Sequence, residues 1–336
     1  MSAVISPFES EFSDDVAQLR QDAELVKLQC THAANQAAIQ AEELAVEERR
    51  ANDRFRLKMF KERDEAKEWR LYRSQREISQ LREATRDRLS TLNSLKAYKR
   101  VLQQRVPKTA EWFLKDDVFC QWRDDTNGAV LWCTGKMGAG KTVLISSMVE
   151  QLHVSQRSTD TIAHHFCFSD HDASLKARNI VGSIARQMLE HWLQNAKVDE
   201  LRALHRKISD VDSAGMTDIL SDRLPPGASY YILLDGIDEC KIDEAREVVA
   251  CLSKLCQNHR AVKIVLTSRT DIDKALRRQL RAKYKMPVSE AKTQSDVRCY
   301  INETLDQRLE DRELVLNDPS IILKISDKLE RESQGM

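Results

Sequence analysis

Gly135-Lys136-Met137-Gly138-Ala139-Gly140-Lys141-Thr142 is the stretch of this 336-residue chain with the plainest chemistry. A glycine, four intervening residues and Gly-Lys-Thr make the pattern that wraps a phosphate chain. The glycines let backbone N–H groups turn inward around phosphate oxygens, and the helix that follows presents its positive end. Lys141 would neutralise the outer phosphates and the Thr142 hydroxyl would ligate Mg²⁺. The expected nucleotide-binding residues are therefore Gly135, Lys136, Met137, Gly138, Ala139, Gly140, Lys141, Thr142 and Val143.

A magnesium site needs a carboxylate near Thr142, and "YYILLDGIDEC" (230 to 240) offers one. An apolar strand that ends in Asp235 puts that acid at the carboxyl edge of a sheet, where ligands of open α/β folds bind. Asp235 is expected to hold Mg²⁺ through a water, and Asp238 or Glu239 to orient or deprotonate an attacking water. "VKIVLTSR" (262 to 269) is a further apolar run, closing on Thr267, Ser268 and Arg269. A polar or basic group there can reach a γ-phosphate and report its presence, and Arg269 is the candidate.

The elements that must position these groups follow from the texture of the chain. "AVLWCT", "TIAHHFCF", "YYILLD" and "VKIVLT" alternate with helical stretches, which predicts a parallel sheet with crossover helices. The expected fold class is thus α/β, a P-loop NTPase with a parallel sheet flanked by helices. "TAEWFLKDDVFCQWRDD" ahead of the first strand reads as an amphipathic helix, with Trp112, Phe113, Phe119 and Trp122 on the sheet.

Upstream the character differs. No glycine precedes Gly128 and no proline lies between Pro7 and Pro107, so this region reads as a long α-helical, coiled-coil N-terminus. Val16, Leu19, Ala23, Val26, Cys30, Ala33 and Ala37 form a heptad-spaced seam that loses register after Leu44, and a second helical stretch runs from Phe55 to Leu95. Its small residues bury little area, so a partner helix is expected. The domains read as 1–13 disordered, 14–106 helical, 107–310 the NTPase domain, and 311–336 a C-terminal helix opening a truncated following domain.

Between Arg49 and Arg105 stand 18 basic and 8 acidic residues, but few aromatics that could stack on bases, so a solvated helix face is expected rather than nucleic-acid binding. Lys+Arg and Asp+Glu both total 53, which favours neither nucleic acid nor membrane as a partner. No apolar run reaches membrane-spanning length, and the N-terminus lacks the regions of a signal peptide. Eight cysteines without a C-x-x-C fit reduced thiols in the cytoplasm. His165 and Cys167 would share one strand face and His164 the other, a core arrangement rather than a metal site.

"LWCTGKMGAGKT", "ARNIVGSIARQML", "YYILLDGIDEC" and "VKIVLTSR", in that order, resemble the NACHT class of signalling NTPases. More narrowly they resemble the nephrocystin-3-like N-terminal domain of fungal NLR-like and ankyrin-repeat proteins, over about residues 110 to 310. The resemblance implies a STAND-type switch, closed with ADP and oligomeric with ATP, that hydrolyses ATP slowly. It puts Lys141 and Thr142 on phosphate and Mg²⁺, makes Asp235, Asp238 and Glu239 the acidic motif, and sets Arg269 at the sensor-one position. "DVRCYINETL" (296 to 305) is similar to the helix that follows the last strand. A winged helix and a repeat sensor, usual in this class, are not legible before Met336.

The function expected is a Mg²⁺-dependent ATP/ADP switch that self-associates through its helical N-terminus and signals to a protein partner. The alternatives are a coiled-coil scaffold that binds nucleotide structurally and a DNA-associated P-loop ATPase. A guanine-specific N-K-x-D does not follow the acidic strand, and ATP over GTP rests on the resemblance.

Overall fold

The computed structural model describes residues 18, 40–52, 65–107, 109–155, 157, 159–272, 274–315 and 321–333. The proposed seam from Val16 to Ala37, and Phe55 and Met59, lie outside them. The chain divides into two compact units, Met1–Glu77 and Ile78–Met336. In the first, residues 40–52 are helical and Leu44 is exposed.

The second unit is built on a five-stranded sheet, parallel throughout: β1 (Ala129–Thr134), β2 (Thr161–Phe166), β3 (Tyr230–Asp235), β4 (Val262–Ser268) and β5 (Tyr284–Pro287). Their spatial order is β2-β3-β4-β1-β5, so β4 separates the strand that leads into the phosphate loop from the strand that ends in Asp235. β1 to β4 read as continuous apolar runs because both faces of the sheet are covered.

Helices α1 (Glu65–Leu89), α2 (Ser94–Gln104) and α3 (Asp117–Asp124) precede β1, and α4 (Lys141–Ser155) follows the phosphate loop. Between β2 and β3 come α5 (Ala177–Met188), α6 (Glu190–Asn195), α7 (Val198–Ile208) and α8 (Ser213–Ser221). α9 (Ile242–Asn258) and α10 (Lys274–Leu280) flank β4, and α11 (Glu290–Glu310) and α12 (Ile321–Ser333) close the described chain.

Alternation along the strands feeds two cores. Val130, Trp132, Ile232, Leu234, Ile264 and Leu266 meet α5, α7, α8 and α9 on one face. Leu131, Cys133, Phe166, Leu233 and Val265 meet α4, Phe119 and Trp122 on the other. Full burial of each such large side chain contributes about 1.5–3 kcal/mol relative to exposure. The buried indoles keep a partner: Trp122 Nε1 donates to Ala129 O at 3.1 Å and Trp132 Nε1 to Ser268 Oγ at 2.9 Å.

The lead-in expected as one helix is two pieces, a 3₁₀ turn (Glu111–Lys115) and α3. Asp116 divides them: its side chain caps α3 by accepting from Val118 N at 3.0 Å, a job that requires extended backbone at the cap. Phe113, Phe119 and Trp122 are buried as expected. Among the described residues no helix is long and apolar enough to cross a membrane.

Candidate functional site

β1 delivers the loop 135–140 to the carboxyl edge of the sheet, where Gly135 N donates to Ser268 O of neighbouring β4 at 3.2 Å. Gly138 (φ 77°) and Gly140 (φ 80°) take left-handed backbone that other L residues adopt only at a cost, and so bend the loop back before α4 starts at Lys141. Lys141 folds over the loop and donates from Nζ to Gly135 O at 2.9 Å and Lys136 O at 2.7 Å. Burial lowers its pKa, while Asp238 and Asp235 pull it back up. Met137 is exposed at the tip of the loop.

Asp235, at the end of β3, is buried and doubly held. Its Oδ2 accepts from Thr142 Oγ1 at 2.7 Å and its Oδ1 from Thr267 Oγ1 at 2.6 Å. Burial raises the Asp235 pKa; the two hydroxyls and the nearby Lys141 oppose the rise. Thr267 Oγ1 also accepts from Gly236 N at 2.8 Å. Of the polar groups closing β4, the sequence singled out Arg269 as the one to face a phosphate. The structure turns Thr267 onto Asp235 and gives the Ser268 hydroxyl to Trp132 Nε1 and Arg269 O.

A 3₁₀ turn (Ile237–Glu239) carries the remaining acids. Arg269, just past β4, bridges both: Nη2 donates to Glu239 Oε1 at 2.8 Å, and Nε lies 3.1 Å from Asp238 Oδ2. The other Asp238 oxygen, Oδ1, is buried with no hydrogen-bond partner. Gly140, Lys141, Thr142, Asp235, Asp238, Glu239 and Arg269 thus line one cleft of about 680 Å³. Arg100 of α2 lines it too, a residue that no motif marked, because it stands far upstream of the loop in sequence.

On the other side of Gly138–Gly140 a second cavity, about 300 Å³, is walled by Val106, Ala110, Trp112, Val143, Val288 and Val297. Asp296 of α11 enters its lining and accepts from Ala110 N at 2.9 Å; burial raises the pKa of this carboxyl. The sequence signalled this region only as the lead-in and as the helix after the last strand. Among the described residues no group of three or more His, Cys, Asp or Glu side chains could hold a metal ion by itself. The donor set for a cation is instead one hydroxyl and one carboxylate, Thr142 and Asp235. That set suits Mg²⁺ that takes its other oxygens from phosphate and water.

A parallel sheet of this order, a phosphate loop after β1 and a buried acid ending β3 define a P-loop NTPase fold. Residues 108–269 match the family described as nephrocystin 3, N-terminal. Over 238 residues the chain is 22% identical to the vegetative incompatibility protein HET-E-1 of Podospora anserina, covering 67% of this chain and 17% of that protein. Among solved structures it is similar to ORC1 of Aeropyrum pernix in complex with DNA: 15% identity, TM-score 0.39, with 67% of this chain and 59% of that one covered. It is also similar to Cdc6p of Pyrobaculum aerophilum: 16% identity, TM-score 0.37, with 58% and 50% covered.

Proposed function

We propose that this chain is a nucleotide switch: it binds ATP or ADP with Mg²⁺ in the cleft around Lys141, hydrolyses ATP slowly and passes its state to its helical N-terminus. The observation that carries the reading is the Thr142–Asp235–Thr267 contact set. The Thr142 and Thr267 hydroxyls, from two separate elements, each reach a different oxygen of the Asp235 carboxylate, at 2.7 and 2.6 Å, beside the loop lysine. A buried carboxylate held this way serves packing poorly, because removing its charge from water is costly.

In this reading the loop N–H groups and Lys141 bind the phosphates, and Thr142 with Asp235 holds the metal, which would supply charge neutralisation to the phosphate chain. Asp238 and Glu239 position water, and Arg269 exchanges its two carboxylates for the outer phosphate. The apolar cavity beyond Gly140 accommodates a purine base between Val106, Trp112 and Val297. The likeness to a vegetative incompatibility protein supports a role in signalling, with self-association through the N-terminal helices as its output.

The experiment is to denature the purified chain and identify what it releases, then to measure binding and turnover in wild type and Lys141→Ala. Stoichiometric adenine nucleotide, lost together with slow hydrolysis in Lys141→Ala, is the expected outcome. Tight binding with no turnover would leave a nucleotide-stabilised scaffold. Absence of nucleotide, together with Kd values for added ATP that Lys141→Ala leaves unchanged, would overturn the reading.

A further inference from the structure

Arg100 reaches the phosphate cleft from outside the motifs that define it, and from outside the matched segment, which begins at residue 108. Its helix is firmly seated. Asn93 caps α2 by accepting from Lys96 N at 2.9 Å, and Val101 is buried. The Tyr98 ring lies 5.0 Å from His164 and stacks 6.4 Å from Phe166, both on β2. One turn on, Arg105 Nη1 donates to Ser147 Oγ of α4 at 2.7 Å. The backbone under Arg100 is therefore fixed while its side chain stays half exposed.

The guanidinium lies 4.7 Å above the Phe168 ring, and Nη2 donates to Asp170 Oδ2 at 2.9 Å. Both partners belong to the loop leaving β2. The sheet order puts that loop three strand spacings from the loop leaving β1, roughly 14 Å, with the Asp235 strand beside it. A phosphate chain cradled at Gly138–Lys141 and tied by metal to Asp235 would point its last phosphoryl group toward this wall. The Asp170 pair is exposed on both sides and worth little, so an anion that offers a bidentate acceptor can displace it. Stacking on Phe168 keeps the fork oriented during the exchange.

We propose that Arg100 distinguishes a bound triphosphate from a diphosphate by binding the terminal phosphoryl group from the wall opposite the phosphate loop, leaving Asp170 to do so. The inference rests on the nucleotide reading of the cleft and deepens it: a helix ahead of the domain senses the state of the nucleotide.

The test titrates the full chain with Mg-ADP and with a Mg-bound non-hydrolysable ATP analogue, in wild type, Arg100→Ala and Asp170→Asn. In Arg100→Ala the analogue should bind about tenfold more weakly, the size of one charge-assisted hydrogen bond, and ADP should stay within about twofold. Asp170→Asn, which releases the arginine from its competitor, should shift analogue affinity the opposite way, several-fold tighter. A purely structural role for Arg100 would not give changes of opposite sign. An unchanged ratio of the two affinities in Arg100→Ala, whether both hold or both fall, sinks the proposal while leaving the nucleotide site intact. Wild type that binds neither nucleotide would sink the underlying reading and this one with it.

Discussion

Thr267 shows how closely one hydroxyl is tied to the site. It is fully buried, donates to Asp235 Oδ1 and accepts from Gly236 N. Thr267→Val keeps the shape and deletes both bonds, which strands a carboxylate oxygen and a backbone N–H away from water. Stability should fall by about 1–3 kcal/mol, read as a lower urea midpoint at unchanged slope, and Thr267→Ser should recover most of it. A valine variant as stable as wild type would show that the network does not support Asp235. Lys141, Thr142 and Asp235 could be picked out from sequence because loop and strand end are local patterns. The partner of Thr267 could not, because it depends on β4 lying between β1 and β3, and strand order is not written in any one segment.

Elements were legible in proportion to their length and apolar continuity. The four long strands are buried on both faces and announced themselves as β-branched runs; β5 did not. Tyr284–Pro287 is four residues long, carries Lys285 and ends in proline, and it becomes a strand by pairing with β1 from Leu131 to Thr134. The break at Asp116 was hidden in the same way, since a capping side chain and a helical one look alike until the backbone is seen. Gly182 is the opposite case, a glycine inside α5 with helical neighbours, where propensity alone recommends alanine. Packing forbids it: a Cβ there would lie 2.2 Å from Leu89 O at the end of α1, the carbonyl that Arg178 Nη1 also binds at 3.0 Å. Gly182→Ala should therefore destabilise by about 1–3 kcal/mol despite the better helix former. A rise in melting temperature would mean that α5 and the end of α1 are not this close.

At the scale of the whole molecule, the two cores each take one histidine from β2. His164 faces Tyr98 and Phe166 on the α4 side, and His165 faces the other core, where its Nε2 donates to Ser174 O at 2.9 Å. The alternation of a strand fixes this division, which is why it was legible from the two adjacent letters. Its consequence for stability needed the burial. Exclusion from water lowers the pKa of both imidazoles from 6.5 to about 4; the Ser174 carbonyl opposes this at His165 but does not cancel it. The folded values lie below the unfolded one, so the unfolded chain takes up protons first as pH drops. The stabilisation is whole above about pH 6.5 and is lost as pH falls toward 4, on the order of 3 kcal/mol for each histidine. His164→Phe suits a site already lined by Tyr98 and Phe166 and removes one of the two titrations. Denaturation between pH 7 and 4.5 should show wild type losing stability more steeply than the variant, with the difference growing as pH falls. Parallel curves would mean that His164 is protonated in the fold as easily as in the unfolded chain, and that the wall between α2 and β2 admits water.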